Sequence, residues 1–359
     1  MRHLLALSSR LISDLVLGIA LLWLAGLYIY QPLSLLPAVL LAGASLWYRH
    51  RCGAFGRGRK NRLWLWGLVL LGILTYKLLP SPSPDAWQTP WARAPHFNLH
   101  GDTLTISNLR DFRYRSETDY DVRYRTESYK LSEITGADFG ECHWDGMEAV
   151  CHTMISFAFA DGRHLVVSAE TRLPVGEEQN AIGGLYKRYG LLYVFGTEED
   201  IFALRTNYRH EDLLLLPLRI RPEHARAMLL HFVALAEQAE QEHQSYNTLT
   251  SNCSSGVMKV FRSLAPRMPR LYDLAPIHNG SISRLLYRHG ALITRPGESY
   301  DALRKRCYLG YDLSPTSPEN YSAAIRARRD TPTPTEAPEG SPISPPQQDT
   351  RQLPLTKHP

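Results

Sequence analysis

A cysteine at position 253 stands where a polar, turn-forming run, residues 246–252, gives way to an amphipathic segment. The apolar residues after it recur at helical spacing: Val257, Val260, Phe261 and Leu264. Ser251 or Asn252 can cap this helix by accepting a hydrogen bond from a first-turn N–H. A thiol at a helix N-terminus feels the positive end of the helix dipole, which favours the thiolate. These residues leave two interpretations open: a nucleophilic cysteine, or a small buried cysteine that fills a gap in the core.

A histidine and a glutamate are predicted to face each other across a β-hairpin. Two strand-like runs, 152–159 and 165–172, flank a tight turn at Gly162. A three-residue loop, 160–162, gives apolar partners on both strands: Phe157 with Leu165, and Ile155 with Val167. A two-residue loop mixes polar with apolar partners, so we prefer the first register. It sets His152 opposite Glu170, where the carboxylate can orient the imidazole, although an ordinary polar pair at a sheet end would look the same.

Cys253, His152 and Glu170 together form a possible nucleophile, base and orienting acid. A cysteine at a helix start packed against a sheet that carries the histidine is the papain-like arrangement. The chain order here is histidine, acid, cysteine, which predicts a circularly permuted version with an α+β fold. His278 and His289 follow the cysteine, so an unpermuted order stays open, although its spacing is short.

The remaining cysteines bear on this hypothesis. Cys142 and Cys151 are nine residues apart across a turn, so we consider them a candidate disulfide. A bridge between Cys253 and Cys307 would exclude the nucleophile. Because no Cys/His set has tight metal-ligand spacing, we predict neither a metal nor another cofactor. The Cys-His dipeptides at 142–143 and 151–152 leave a minor metal-binding alternative.

The first 80 residues differ from the rest of the chain. Three apolar runs, at about 11–30, 32–48 and 63–79, approach the length that crosses a bilayer, and we predict three transmembrane helices. The loop between the second and third runs is rich in arginine and has no acid. The positive-inside rule then places the N-terminus in the cytoplasm and the domain after residue 80 outside the inner membrane, in the periplasm of a Gram-negative cell.

The charge distribution points to the same organisation. Residues 1–80 hold nine Lys/Arg and one acid, a net charge of +8, whereas the whole chain carries +5. The remainder therefore carries −3, which argues against a nucleic-acid partner because such proteins present a basic patch on the folded domain.

The composition divides the chain into four parts. Residues 1–80 are the predicted membrane anchor, and the proline-rich run 81–95 is a linker. Residues 96–312 form the predicted papain-like domain. Residues 313–359 are predicted to be a disordered tail, because eight prolines fall in the last 29 positions.

Five ordered motifs resemble the Lnb N-terminal periplasmic domain family, a group regarded as permuted papain-like enzymes related to NlpC/P60. They are Asn-Leu-Arg-Asp-Phe-Arg-Tyr-Arg at 108–115, His-Thr-Met-Ile-Ser-Phe at 152–157, Ser-Ala-Glu-Thr-Arg at 168–172, Leu-Arg-Thr-Asn-Tyr-Arg at 204–209 and Tyr-Asn-Thr-Leu-Thr-Ser-Asn-Cys-Ser at 246–254. The resemblance covers about residues 100–265. A serine pair after the cysteine departs from the threonine-rich stretch expected there.

The resemblance implies a thiol acyltransferase, since the family's namesake acylates the N-terminal amine of a bacterial lipoprotein. Cys253 would be the nucleophile, His152 the base and Glu170 the third member. A membrane phospholipid would be the acyl donor and a lipoprotein the acceptor. The candidate substrate-binding residues are Arg205, Tyr208, Arg209 and Asn252. Structural pairing of Arg205 and Arg209 with acids at 198–200 is an equally open role.

Two other classes of function stay open. A cysteine peptidase or cell-wall amidase could use the same residues, and it would cleave a soluble peptide or murein fragment. A non-catalytic binding module would function equally well without the Cys253 thiol.

Overall fold

A nine-stranded sheet organises the part of the chain that the computed structural model describes, residues 2–31, 58–144, 147–264, 280, 282–311, 313 and 321–330. The strands are β1 (His96–His100), β2 (Thr103–Arg110), β3 (Arg113–Tyr114), β4 (Tyr120–Asp121), β5 (Tyr124–Lys130), β6 (Ile134–His143), β7 (His152–Phe159), β8 (His164–Arg172), β9 (Gly190–Gly196), β10 (Asp212–Pro217) and β11 (Tyr308–Gly310). The helices are α1 (Arg2–Tyr30), α2 (Gly58–Leu78), α3 (Glu198–Ala203), α4 (Pro222–Gln241), α5 (Cys253–Leu264), α6 (Ile282–Arg288), α7 (Tyr300–Cys307) and α8 (Tyr321–Asp330).

The strand order in the sheet is β1-β2-β9-β8-β7-β6-β10-β11, and β5 pairs with β2. The contact of β2 with β9 is parallel, whereas the pairs β6–β7, β7–β8 and β8–β9 are antiparallel. β3 and β4 form a separate two-stranded ribbon. The fold is therefore a mixed α/β domain in which β7 and β8 lie at the middle of the sheet.

The predicted register of the β7–β8 hairpin is confirmed. Ile155 pairs with Val167 and Phe157 with Leu165. Gly162 has φ 84°, the left-handed conformation that the three-residue loop requires. The apolar partners are buried on both strands, so a one-residue slip would expose them, and burial fixes the register.

Two apolar cores cover the two faces of the sheet. On one face α4 and α5 pack against β7, with Phe232 near Phe157. On the other face α3 and α8 pack against β7, β8 and β9, and Phe202 and Ile325 are fully buried there. Each strand in the middle of the sheet is thus covered on both sides, which explains why β9 is buried along its whole length.

The prediction of three membrane-spanning helices is wrong. Among the described residues, the structure contains no helix with the length and apolar character needed to cross a membrane. The predicted span at 32–48 lies outside the described residues. Leu24 and Leu27 of α1 cluster with Tyr186, and Tyr30 stacks on the same tyrosine at 5.3 Å between ring centroids. Run length alone, on which the prediction rested, cannot reveal contacts of this kind with the rest of the protein.

The segments that flank the predicted domain also pack on it. Trp91, in the predicted linker, accepts a 2.9 Å hydrogen bond on its carbonyl from Arg172. α8 lies inside the predicted disordered tail, yet its Tyr321 and Ile325 are each 1% exposed. The prediction of disorder is therefore wrong for α8. Tyr321 and Ile325 lie four residues apart, which gives the short helix an apolar stripe that the overall proline content of the tail concealed.

Candidate active site

A reciprocal cap begins α5 and places Cys253 at its first position. The Asn252 side-chain oxygen accepts from the Ser255 N–H at 2.9 Å, and the Ser255 hydroxyl oxygen accepts from the Asn252 N–H at 2.8 Å. This exchange satisfies two backbone donors at the helix start. The N–H groups of Cys253 and Ser254 then point along the helix axis without an intrahelical acceptor. Asn252, one of two candidate caps and a candidate substrate-binding residue, is engaged as the cap.

The loop before the helix is braced by side chains from distant parts of the chain. The side-chain oxygen of Asn247 accepts hydrogen bonds from the N–H groups of Leu249 and Thr250, which closes the turn. Asn247 also donates to the hydroxyl of Tyr76 in α2 at 3.1 Å. The Thr248 hydroxyl donates to the Ala181 carbonyl at 2.7 Å, which fastens the loop to the segment that precedes β9. Hydrogen bonds thus hold both the loop before Cys253 and the first helical turn after it.

His152 and Glu170 meet across the hairpin, as the register predicts, and a serine lies between them. His152 Nε2 is 2.6 Å from the Ser168 hydroxyl, and that hydroxyl donates to Glu170 Oε1 at 2.6 Å. His152 Nε2 is also 3.2 Å from the same carboxylate oxygen. Because Nε2 is engaged in this way, Nδ1 is the ring nitrogen that remains for the Cys253 thiol.

The charges of this series are strongly coupled. Burial raises the pKa of the Cys253 thiol, but the charge of His152 and its hydrogen bond lower it more, to about 6. For His152, burial and the charge of Arg205 lower the pKa, whereas the charges of Glu170 and Cys253 raise it, with a net value of about 9. Between these values the pair exists as thiolate and imidazolium.

Glu170 holds its charge although most of its side chain is buried. Burial raises the pKa of this carboxyl, while His152 and Arg205 lower it well below its usual value. Arg205 lies 3.2 Å from Glu170 Oε1 and donates to Glu211 at 2.8 Å. Arg205 thus forms ion pairs with two acids, Glu170 and Glu211. Glu170 stays ionised, and its negative charge raises the pKa of His152 and so favours the imidazolium.

Three of the four candidate substrate-binding residues line one cleft, and the fourth does not. Arg205, Arg209 and Asn252 line the cleft described below. The hydroxyl of Tyr208 instead donates to the Tyr114 carbonyl at 2.6 Å. Arg209 lies 2.8 Å from Glu117. The alternative partners at 198–200 are therefore not the ones that these arginines use among the described residues.

A cleft of about 800 Å³ opens beside Cys253, His152 and Glu170. Its lining combines cationic, acidic and apolar side chains, including Trp91, Trp144, Leu173, Tyr246, Leu249 and Arg209. A concave site of this size that contains strongly perturbed ionisable groups is the usual setting of a binding or catalytic centre. His278 lies outside the described residues, and His289 does not line the cleft. Among the described histidines, His152 is the one that lines the cleft with Cys253 and bonds to its thiol.

Sequence reasoning missed three residues of this site. Ser168 was detectable, because the confirmed register places it two residues before Glu170 on the same face of β8. Glu211 and Tyr246 depend on how the turn after α3 and the loop before α5 fold against the sheet. That turn, Leu204–Tyr208, is π-helical, and no local pattern in the sequence signals it.

The candidate disulfide between Cys142 and Cys151 is not formed. Cys142, Cys151, Cys253 and Cys307 are all buried and none is in a disulfide. Cys142 pairs in register with His152 across β6 and β7, so Cys151 points to the opposite face of the sheet from Cys142. The spacing along the chain suggested a hairpin bridge, but the alternation of side chains rules it out. The Cys253–Cys307 pairing that would have excluded a nucleophile is not formed either.

The comparisons with known proteins bear on this same segment. No curated protein and no solved structure matches the chain, so the expected relation to papain-like and NlpC/P60 proteins gains no support. Residues 120–286, slightly less than half of the chain, match the family model described as the Lnb N-terminal periplasmic domain. That segment contains Cys253, His152 and Glu170 together with the greater part of the sheet. The match supports the name of the Lnb N-terminal periplasmic domain family for the region that carries the candidate site, and with it a periplasmic location for that domain.

Proposed function

We propose that the domain is a thiol acyltransferase whose nucleophile is Cys253. The observation that carries the proposal is the hydrogen-bonded series from Cys253 through His152 to Glu170 at the wall of a large cleft. A nucleophile, a base within hydrogen-bond reach and a group that orients the base are the arrangement of covalent catalysis by cysteine. The lowered pKa of Cys253, which follows mainly from its histidine neighbour, supports the same role.

In the first step the Cys253 thiolate attacks the carbonyl carbon of an ester. The ester bond breaks, a thioester forms, and the departing alkoxide takes the proton from the His152 imidazolium. Glu170 keeps the imidazole in the orientation in which Nδ1 faces the sulfur, because Nε2 is held by Ser168 and the carboxylate. The products of this step are an alcohol and an acyl-enzyme with a neutral imidazole.

In the second step an amine attacks the thioester. The neutral His152 accepts the proton that the amine loses, and the carbon–sulfur bond breaks. Cys253 leaves as the thiolate, so the original ion pair is restored and an amide is released. The high pKa of His152 beside the thiolate favours this return to the starting state.

The negative charge that develops on the carbonyl oxygen needs donors beside Cys253. The Cys253 backbone N–H at the start of α5 is one such donor, because the first turn of a helix leaves its N–H groups without intrahelical acceptors. We assign the second donor to the hydroxyl of Tyr246, which lines the cleft. Burial and the charge of Cys253 raise the pKa of Tyr246, so its hydroxyl stays protonated.

A phospholipid is the proposed acyl donor and a lipoprotein N-terminal amine the proposed acceptor. The cleft combines apolar walls at Trp91, Leu173 and Leu249 with the cation of Arg209, which suits an ester that has both a hydrocarbon chain and an anionic headgroup. Its volume lies within the range typical of small-molecule sites.

Detection of the acyl-enzyme tests the proposal directly. The full chain is incubated with a phospholipid that carries a labelled acyl chain, and the Cys253 peptide is examined by mass spectrometry. We expect a hydroxylamine-sensitive thioester on wild type, none on Cys253→Ala, and an undiminished signal on Cys307→Ala. Cys307 is a suitable control because its side chain is also buried but lies outside the cleft lining.

Addition of a lipopeptide with an unblocked N-terminal amine then separates transfer from hydrolysis. Transfer yields an acyl amide on the lipopeptide. A thioester that decays only to fatty acid would replace the transferase with a hydrolase on the same residues. If Cys253→Ala matches wild type in every assay, the thiol mechanism is wrong and the binding module stands.

A further inference from the structure

Three side chains of the types that bind metals meet where β6 ends and β7 begins, on the side of the sheet that packs against α5. They are Glu141, His143 and Cys151, and their ligand atoms all lie within 4.8 Å of one another. Glu141 and His143 are two residues apart on β6 and so share a face. The β6–β7 register, in which Cys142 pairs with His152, continues to bring Cys151 opposite His143. The cluster is therefore built by strand pairing.

The imidazole of His143 points an unsatisfied nitrogen into this cluster. Nδ1 lies 3.2 Å from the Met147 carbonyl, an acceptor, so Nδ1 carries a proton. Nε2 is buried and has no hydrogen-bond partner among the described residues, while the His143 side chain is 10% exposed. Nε2 lies 3.7 Å from Glu141 Oε2, beyond hydrogen-bond distance. An imidazole nitrogen and a carboxylate oxygen placed in this way can both be ligands of one metal ion.

The Glu141 carboxylate is held in place from outside the cluster. Oε1 accepts from the Ser283 N–H at 3.0 Å, and Oε2 accepts from the Ser283 hydroxyl at 2.9 Å. The Tyr300 hydroxyl lies 2.8 Å from that serine oxygen. A carboxylate has about four lone-pair directions, so these bonds leave capacity for a metal. Orienting contacts of this kind are typical of groups behind a metal ligand.

We propose that Glu141, His143 and Cys151 bind one divalent transition-metal ion, with Zn²⁺ as the best chemical match. Zn²⁺ binds imidazole, thiolate and carboxylate ligands, and a zinc site with three protein ligands keeps the fourth position open for water or substrate. Thiolate and imidazole ligands also disfavour Mg²⁺ and Ca²⁺, which prefer oxygen. On binding, the Cys151 thiol transfers its proton to solvent as the sulfur–metal bond forms.

The geometry requires little movement. Ligands at about 2.0–2.3 Å from a tetrahedral ion lie roughly 3.3–3.8 Å from each other. The separation of 3.7 Å between His143 Nε2 and Glu141 Oε2 already falls in this range. Cys151 also lines the cleft beside Cys253. A metal here would therefore link two strands of the sheet at the wall of the cleft, and through Ser283 it would brace them against α6.

Cobalt titration of the metal-stripped full chain tests the proposal. We expect one equivalent of Co²⁺ to produce a sulfur-to-cobalt charge-transfer band in the near ultraviolet and tetrahedral d–d bands in the visible, and Zn²⁺ to displace both. Cys151→Ser should lose the charge-transfer band. His143→Gln should weaken Co²⁺ binding by more than about 100-fold, and Ser283→Ala by about 10- to 100-fold.

Two control variants identify the sulfur ligand. Cys142→Ser changes the neighbouring cysteine on the opposite face of β6, and Cys253→Ala removes the thiol across the cleft. Both should keep the band at wild-type intensity. A melting curve of each variant, with and without Zn²⁺, reports folding, and Zn²⁺ should raise the Tm of wild type but not of a folded His143→Gln chain. Absence of the band in wild type, or its persistence in Cys151→Ser, would overturn the proposal.

Discussion

Two buried ion-pair networks lie on the same hairpin, and only one of them lines the cleft. At one end, Glu170 contacts His152, and this pair adjoins Cys253 and the cleft. Toward the other end, Glu198 accepts from Ser156 and from both terminal nitrogens of Arg326 in α8. The Glu198 side chain is fully buried and the Glu170 side chain is 14% exposed, and the pKa of each carboxyl is lowered by its partners despite burial.

The contrast shows that a displaced pKa alone does not identify a functional site. In the Glu198 network the carboxylate is bonded to Ser156 and to Arg326, which stays protonated. The nearby His164 has a pKa lowered mainly by burial, so it stays neutral and no group exchanges a proton at neutral pH. In the Glu170 network the partner is an imidazole beside a thiol, and the cleft gives a substrate access to both. Access and an exchangeable proton distinguish the candidate site from the structural network.

The largest difference is expected from matched histidine substitutions in the two networks. His152→Gln should lower the rate of thioester formation on Cys253 by about 10²–10⁴-fold, because it removes the imidazolium that keeps the thiol ionised and gives its proton to the departing alkoxide. His164→Gln, on the same hairpin but near Glu198, should change that rate by less than about threefold. Single-turnover acylation with a labelled ester measures both. Equal losses in the two variants would mean that His152 acts only through the fold.

The Glu198 network should affect stability and leave catalysis unchanged. Arg326→Ala leaves the buried carboxylates of Glu198 and Asp138 short of a cation, and we expect the free energy of unfolding to fall by about 3 kcal/mol. The rate of acylation per folded molecule should match wild type. Urea unfolding and single-turnover acylation give the two values. A variant with wild-type stability would show that α8 does not depend on this cation.

The sequence predicted the parts of the site that depend on local pattern. Alternating apolar residues determined the hairpin register and hence the meeting of His152 with Glu170. The residues before α5 offered Ser251 or Asn252 as its cap, and the structure shows Asn252 in that role. The partners of Arg205 depend on a π-helical turn, which no periodicity marks.

The sequence analysis did not predict that β6 pairs with β7, and this pairing decides where Cys142 and Cys151 lie. The spacing of Cys142 and Cys151 suggested a disulfide, because the distance along the chain suits a bridge across a turn. Strand pairing alternates faces, and it places Cys151 with Glu141 and His143 instead. The same dependence on contacts distant in sequence explains why apolar run length misassigned α1 and α2, which contact the segment beside the site through Tyr186.

The smallest of the expected effects concerns the reactivity of the thiol with pH. With a pKa of about 6, Cys253 is mostly thiolate at pH 7, whereas a thiol with an ordinary pKa of about 8.5 is only a few per cent ionised, a difference of roughly 30-fold in thiolate. Iodoacetamide labelling with a chelator present should therefore show a midpoint near pH 6 for Cys253. Because burial alone raises a thiol pKa, His152→Gln should move that midpoint upward, above pH 8.5.

The imidazole of His152 sets the upper end of the pH interval in which the ion pair exists. The thiolate is present above about pH 6 and the imidazolium below about pH 9, so the ion pair occupies the interval between them. Burial raises the pKa of the other three thiols in the domain, and mass spectrometry of the labelled peptides should find Cys253 modified first. Labelling in denaturant, where the midpoint should return to about 8.5, provides the reference. A folded-state midpoint at or above that reference would remove the ion pair, and the two networks of the hairpin would then differ only in their access to the cleft.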